Sequence, residues 1–260
     1  MPFIRAGGLT VHYQLEGDAG LPVVMLSNSL GTDLHMWDAQ MPALLPKFRV
    51  LRYDMRGHGL TDLPPEESYS LDRLADDALA LLDALKLGRV HFCGLSIGGM
   101  IGQKLGAKAG NRFLSLALCH TAMSIATPQI WADRVATVRQ GGMASIVESV
   151  VQRWFTANFH KSHPEMIAGY RNMLLRCPAA GYIGCSLAIS GADLSPDAAR
   201  ISNPTLVVLG EGDKSVPLET GRALAKTVKG SLLVEIKHVS HISAVEQPAA
   251  FNAALTGFLK

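Results

Sequence analysis

The sequence predicts an α/β domain with a mostly parallel central sheet flanked by helices and a helical insertion before the last strands. Three observations lead there. Short β-prone runs alternate with segments of helical periodicity along most of the 260 residues, the pattern of strand, helix, strand crossovers. A serine between glycines, Gly94-Leu95-Ser96-Ile97-Gly98, separates the run Val90 to Cys93 from a helix-prone segment rich in small residues, Gly98 to Ala109. From about Ala122 to about Ser190 no convincing strand occurs, and that length is too great for a simple crossover. Residues 122–190 therefore read as a cap laid over the carboxyl ends of the strands, where α/β sheets bind ligands, and 1–121 with 191–260 as the core domain.

Taken in order, Leu9 to Leu15 and Val23 to Ser27 read as strands separated by the turn Gly17-Asp18-Ala19-Gly20. A polar, glycine-containing loop follows, Asn28-Ser29-Leu30-Gly31-Thr32-Asp33. Phe48 to Tyr53 is the next strand, closing into Asp54-Met55-Arg56-Gly57-His58-Gly59. Leu71 to Leu85 carries apolar residues at helical spacing, with Ser70 as N-cap and Gly88 just past the end. Beyond the serine turn and its helix, Phe113 to Cys119 is another buried strand. After the cap, Asn203-Pro204 leads into a strand at Thr205 to Leu209, which ends in Gly210-Glu211-Gly212-Asp213. Leu232 to Ile236 is the last strand; it runs into Lys237-His238-Val239-Ser240-His241, and a helix from Pro248 to Leu259 follows.

Composition narrows the function. With a formal charge of +2 there is no basic stripe for nucleic acid and no acidic tail, so the expected partner is a small molecule. Met1 to Ala6 lacks the apolar run of a signal peptide, and no later stretch reads as long and apolar enough to span a bilayer, so a cytoplasmic protein is expected. Cys93, Cys119, Cys177 and Cys185 have no metal-type spacing and read as reduced, buried fillers. His160 and His163 are three residues apart, but no third ligand completes a metal site, and both read as surface residues.

Ser96, Asp213 and His241 occur in the order nucleophile, acid, base, each just past an expected strand, which is the order of α/β-hydrolases. A serine hydroxyl is a poor nucleophile at neutral pH. It needs a base within hydrogen-bond reach, and the base needs an anion to hold its tautomer and stabilise its cation. His238 competes with His241, which is favoured because it lies in the loop after the last strand, before Val245-Glu246-Gln247-Pro248. Asp193 and Asp197 compete with Asp213, but both precede the strand. His58, far upstream between two glycines, suits a structural turn better than a base. In this fold one oxyanion-hole amide comes from the loop after the strand that ends at Ser27 and the other from the residue after the nucleophile, which by position are Leu30 and Ile97.

The segments Ser27 to Leu34, Met36-Trp37-Asp38, Leu51 to Asp54, His91 to Ser96, Gly141-Gly142-Met143 and Arg153-Trp154-Phe155 resemble the 3-oxoadipate enol-lactonases, α/β-hydrolases of bacterial aromatic catabolism. The resemblance covers nearly the whole chain, cap included. Asn28-Ser29 stands where His-Gly is common in the wider superfamily, and the enol-lactonases share that change. The resemblance implies hydrolysis of 3-oxoadipate enol-lactone to 3-oxoadipate without a cofactor. Such a lactone carries a carboxylate, so a cation is expected in the pocket. Arg134 shares a helical stripe with Trp131, Val135 and Val138 and is the candidate, the plainer alternative being a snorkelling arginine or a salt bridge within the cap. Trp131 and Trp154 join it as candidate contacts, Trp154 with the alternative of packing inside the cap. Carboxylesterases, carbon–carbon hydrolases and cofactor-free perhydrolases reuse the same triad, and a slow hydrolase-like receptor for a small lactone is the reading from another class.

Overall fold

A computed structural model describes every residue from Met1 to Lys260. The strands β1 (Phe3–Ala6), β2 (Leu9–Glu16), β3 (Val23–Ser27), β4 (Arg49–Tyr53), β5 (Val90–Leu95), β6 (Phe113–Cys119), β7 (Thr205–Gly210) and β8 (Leu232–Ile236) form one sheet in the order β1-β2-β4-β3-β5-β6-β7-β8. β1 and β2 form a hairpin and β2 runs antiparallel to β4; every pairing from β4 to β8 is parallel. The central strands β5 and β7 are buried along their whole length because helices cover both faces, which is why they are mostly apolar, His91 and Thr205 apart.

In chain order the helices are α1 (Met41–Leu44), α2 (Leu71–Ala84), α3 (Ile97–Ala109), α4 (Pro128–Gly141), α5 (Val147–Trp154), α6 (Ala157–Ser162), α7 (Pro164–Arg176), α8 (Ala179–Ile189), α9 (Ser195–Ala198), α10 (Leu218–Thr227), α11 (Ser243–Glu246) and α12 (Pro248–Phe258). α2 begins where expected: the Ser70 side chain accepts the Arg73 N–H, and Leu71, Leu74, Ala78, Leu81 and Leu82 form the buried stripe that docks it. α4 to α8 all fall between β6 and β7, with no strand among them. α4 packs on α8, and α5 on α7. These helices also sit on the loop after β3: a Cβ on Gly31 would come within 2.5 Å of Leu174 and 3.2 Å of Tyr182. No helix is long and apolar enough to cross a membrane.

Two features depart from the sequence expectation. The sequence does not announce β1, because a four-residue edge strand with only Ala6 buried carries no readable alternation. β2 and β3 follow each other across a glycine turn yet do not pair; β4 lies between them, so the sheet order reverses there.

Candidate active site

Ser96 stands at the junction of β5 and α3 with φ 60° and ψ −117°, a left-handed conformation that costs an L-residue about 1–3 kcal/mol. The surroundings force it. A Cβ on Gly94 would lie 2.1 Å from the Gly98 carbonyl, and one on Gly98 would lie 2.4 Å from the Ser27 carbonyl, so only glycines let β3, β5 and α3 meet this closely. The turn is tied down on both sides: Ser96 N–H donates to the Cys119 carbonyl at 2.9 Å, and Thr121 Oγ1 donates to the Ser96 carbonyl at 2.8 Å. Ile97 is the first residue of α3, where backbone N–H groups have no acceptor within the helix.

The loop after β3 is held by side chains from elsewhere. Asn28 donates to the Tyr53 carbonyl and accepts from the Trp37 indole, each at 2.9 Å. Thr32 donates to the Ser29 carbonyl. Gly31, at φ 81°, donates its N–H to Nε2 of His58 at 3.1 Å, and Nδ1 of His58 lies 3.1 Å from the Arg56 carbonyl. These partners require the proton on Nδ1, and burial lowers the pKa of His58, which keeps the ring neutral. His58 is thus the brace of this loop, a role the sequence does not announce. Leu30 N–H, one residue before the braced amide, has no acceptor in the chain and its residue borders the cavity described below.

Asp213 and His241 come from the ends of β7 and β8. Nδ1 of His241 lies 2.8 Å from Oδ2 of Asp213. Burial pushes the Asp213 carboxyl up, but the charge of His241 and the hydrogen bonds from His120 and His241 outweigh it, and its pKa falls well below the usual carboxylate range. His238 instead lies on the surface, facing Glu211 at 3.7 Å. Asp193 caps its own turn by accepting the Ser195 N–H, and Asp197 pairs with Lys104 and Arg200. The His241 loop is fastened to the end of α5: Ser240 Oγ donates to the Arg153 carbonyl at 2.7 Å and Ile242 N–H to the Trp154 carbonyl at 3.1 Å.

Ser96, His241 and Leu30 border one cavity of about 770 Å3, its mouth included, whose opposite wall is made by the helices between β6 and β7. Trp131, Arg134 and Trp154 also line it, whereas Asp213 stands behind His241 and Ile97 is buried beside Ser96, neither of them on its wall. The Arg134 guanidinium lies over the Trp131 ring, 5.1 Å from its centre, and reaches the Tyr182 hydroxyl at 3.4 Å. Trp131 is itself fixed by its indole N–H on the Ile125 carbonyl. Arg153 lines the same cavity, as does Lys214. No carboxylate of the chain lies within 4 Å of either arginine, and burial together with the charge of Arg134 lowers the pKa of Arg153. Two half-buried cations that repel each other and meet no carboxylate of the chain are chemically suited to an anion. The sequence does not mark Arg153 as a ligand, because its facing depends on how α5 is docked rather than on the helix pattern alone.

A family model described as the alpha/beta hydrolase fold matches residues 22–248. The chain is similar to 3-oxoadipate enol-lactonase 2 of Acinetobacter baylyi, with 37% identity over 99% of this chain and 96% of that one. It is similar in structure to the enol-lactonase from Burkholderia xenovorans LB400, with a TM-score of 0.96 and 40% identity over 99% of both chains. It is also similar to a thermophilic esterase from Thermogutta terrifontis, with a TM-score of 0.90 and 29% identity over 98% of this chain and 96% of that one.

Proposed function

The chain belongs to the alpha/beta-hydrolase family and within it to the 3-oxoadipate enol-lactonases, and from that premise we propose that it hydrolyses 3-oxoadipate enol-lactone to 3-oxoadipate through an acyl-enzyme. Ser96 Oγ attacks the lactone carbonyl as Nε2 of His241 takes its proton. Asp213 holds the other ring nitrogen and stabilises the imidazolium. The developing oxyanion is met by the amides of Leu30 and Ile97, fixed donors of a kind worth about 3 to 4 kcal/mol each. The ring oxygen leaves as an enolate and takes the proton from His241 to give an enol, and transfer of that proton to the neighbouring carbon gives the ketone, which disfavours reclosure. His241 then activates water to release the acyl chain from Ser96.

The observation that carries this reading is the pairing of the Asp213–His241 couple with two uncompensated arginines across one cavity. A neutral ester has no use for Arg134 and Arg153; a lactone bearing a carboxylate does. Trp131 and Trp154 close the apolar wall beside it, and residues 122–190 act as the cap over a core of 1–121 and 191–260. Four buried, unpaired cysteines support a cytoplasmic setting. The test is the loss of enol-lactone absorbance in the ultraviolet with purified protein, set against a p-nitrophenyl ester. A higher kcat/KM for the lactone is expected; preference for the neutral ester would overturn the assignment.

A further inference from the structure

His120 follows β6 and takes no part in the chemistry above, yet much of the molecule is arranged for it. Its ring is fully buried and its backbone is left-handed at φ 47°, a conformation uncommon outside glycine. Gly210 makes room: a Cβ there would come within 2.8 Å of the ring. Both ring nitrogens are bonded, Nδ1 to Oδ2 of Asp213 at 3.0 Å and Nε2 to Oγ of Ser243 at 2.6 Å. In the neutral ring that burial favours, one arrangement of protons satisfies both partners. Asp213 is ionised, so Nδ1 carries the proton and donates it, and Nε2 accepts from the Ser243 hydroxyl.

A carboxylate has about four acceptor positions. On Asp213 they are all filled. Oδ1 accepts the Ser215 and Val216 amides at 2.8 and 2.9 Å, and Oδ2 accepts His241 and His120. Ser243 lies two residues beyond His241, so the path His241, Asp213, His120, Ser243 returns to its start through Ile242. Resting on the triad reading above, we propose that His120, with its tautomer set by Ser243, is a positioning residue that locks the Asp213 carboxylate and tunes how strongly it supports the His241 cation. The His120 donor draws charge from the same oxygen that His241 uses, so its loss leaves that oxygen a stronger partner for the imidazolium. The ionisable groups facing His120 are Asp213 and His241, with Glu246 at longer range. His120 and Ser243 do not line the substrate cavity, so the effect belongs in kcat and in the pH profile.

The test measures two rates against pH for wild type, His120→Leu, His120→Asn and Ser243→Ala: steady-state turnover, and labelling of Ser96 by a fluorophosphonate. Asn puts an N–H where Nδ1 stands and tolerates left-handed backbone, so it should restore most of what Leu loses. For His120→Leu, kcat and the labelling rate should fall about tenfold to a hundredfold at constant KM, a loss typical of small misplacement of reacting groups. The acid limb of the profile should move to higher pH. Ser243→Ala should show the same shift in weaker form. Wild-type labelling rate and profile in His120→Leu, or equal loss in the Leu and Asn variants, would overturn the proposal. Should the Leu variant fail to fold, an unchanged rate and profile in Ser243→Ala does the same. If wild type is labelled at Ser96 but ignores the enol-lactone, the substrate assignment fails while the labelling comparison still decides the role of His120. If wild type is not labelled at Ser96, the triad reading falls and this proposal with it.

Discussion

At the strand ends beneath the cavity, Asp213 accepts four hydrogen bonds and His58 uses both ring nitrogens, whereas on the facing helices Arg134 reaches only a hydroxyl at 3.4 Å and Arg153 pairs with no carboxylate. The two walls meet different demands. In the proposed mechanism the lower one holds reacting groups in fixed geometry, so the side chains that position them are satisfied before any substrate arrives, and only the Leu30 and Ile97 amides are left open for the oxyanion. In the same proposal the upper one recognises a charge, so its cations are left for a ligand to complete, at the cost of their mutual repulsion.

Substitutions should separate the walls by which kinetic constant they move. The largest effect belongs to the lower wall: Ser96→Ala should cut kcat about ten-thousandfold or more with folding intact, measured by lactone turnover and thermal melting. Near-normal turnover would dissolve the contrast. Next, Arg134→Met or Arg153→Met should raise KM for the carboxylate substrate about tenfold to a hundredfold, the loss expected for a charge-assisted contact, and leave a neutral ester unaffected. Equal effects on both substrates would show that the arginines only pack. His58→Leu should lower kcat about tenfold with little change in KM, because the Gly31 amide loses its acceptor and the Leu30 amide drifts; a change confined to melting temperature would reduce His58 to a structural residue.

The smallest effect is on stability against pH. Burial lowers the pKa of His58, His91 and His120, so below their unfolded value near 6.5 the unfolded chain binds protons that the folded chain refuses. Stability should be full above about pH 6.5 and decline as the pH falls toward the folded values, by up to about 1.4 kcal/mol per pH unit for each such histidine. Urea unfolding at pH 7.5 and 5.5 measures it, and equal midpoints would contradict the burial of neutral rings.

Much of this molecule is written in local pattern. The helix at Leu71, the strands from Val90 to Thr205, the turn at Ser96 and the positions of Asp213 and His241 past their strands follow from period, capping and glycine placement, which act over a few residues. The stripe of Trp131, Arg134, Val135 and Val138 is equally local, with Arg134 the half-exposed member beside three buried ones. What the chain order could not disclose is any partnership made across it. His120 meets Asp213 over 93 positions and Ser243 over 123, and His58 meets Gly31 over 27. Arg153 turns toward the cavity because its helix is fastened to the His241 loop 87 residues away. Residue types and spacing determined the proposed reacting groups; tertiary packing alone decided which buried histidines brace them and which cations were left unpaired, because desolvation and hydrogen-bond completion depend on neighbours that only folding supplies.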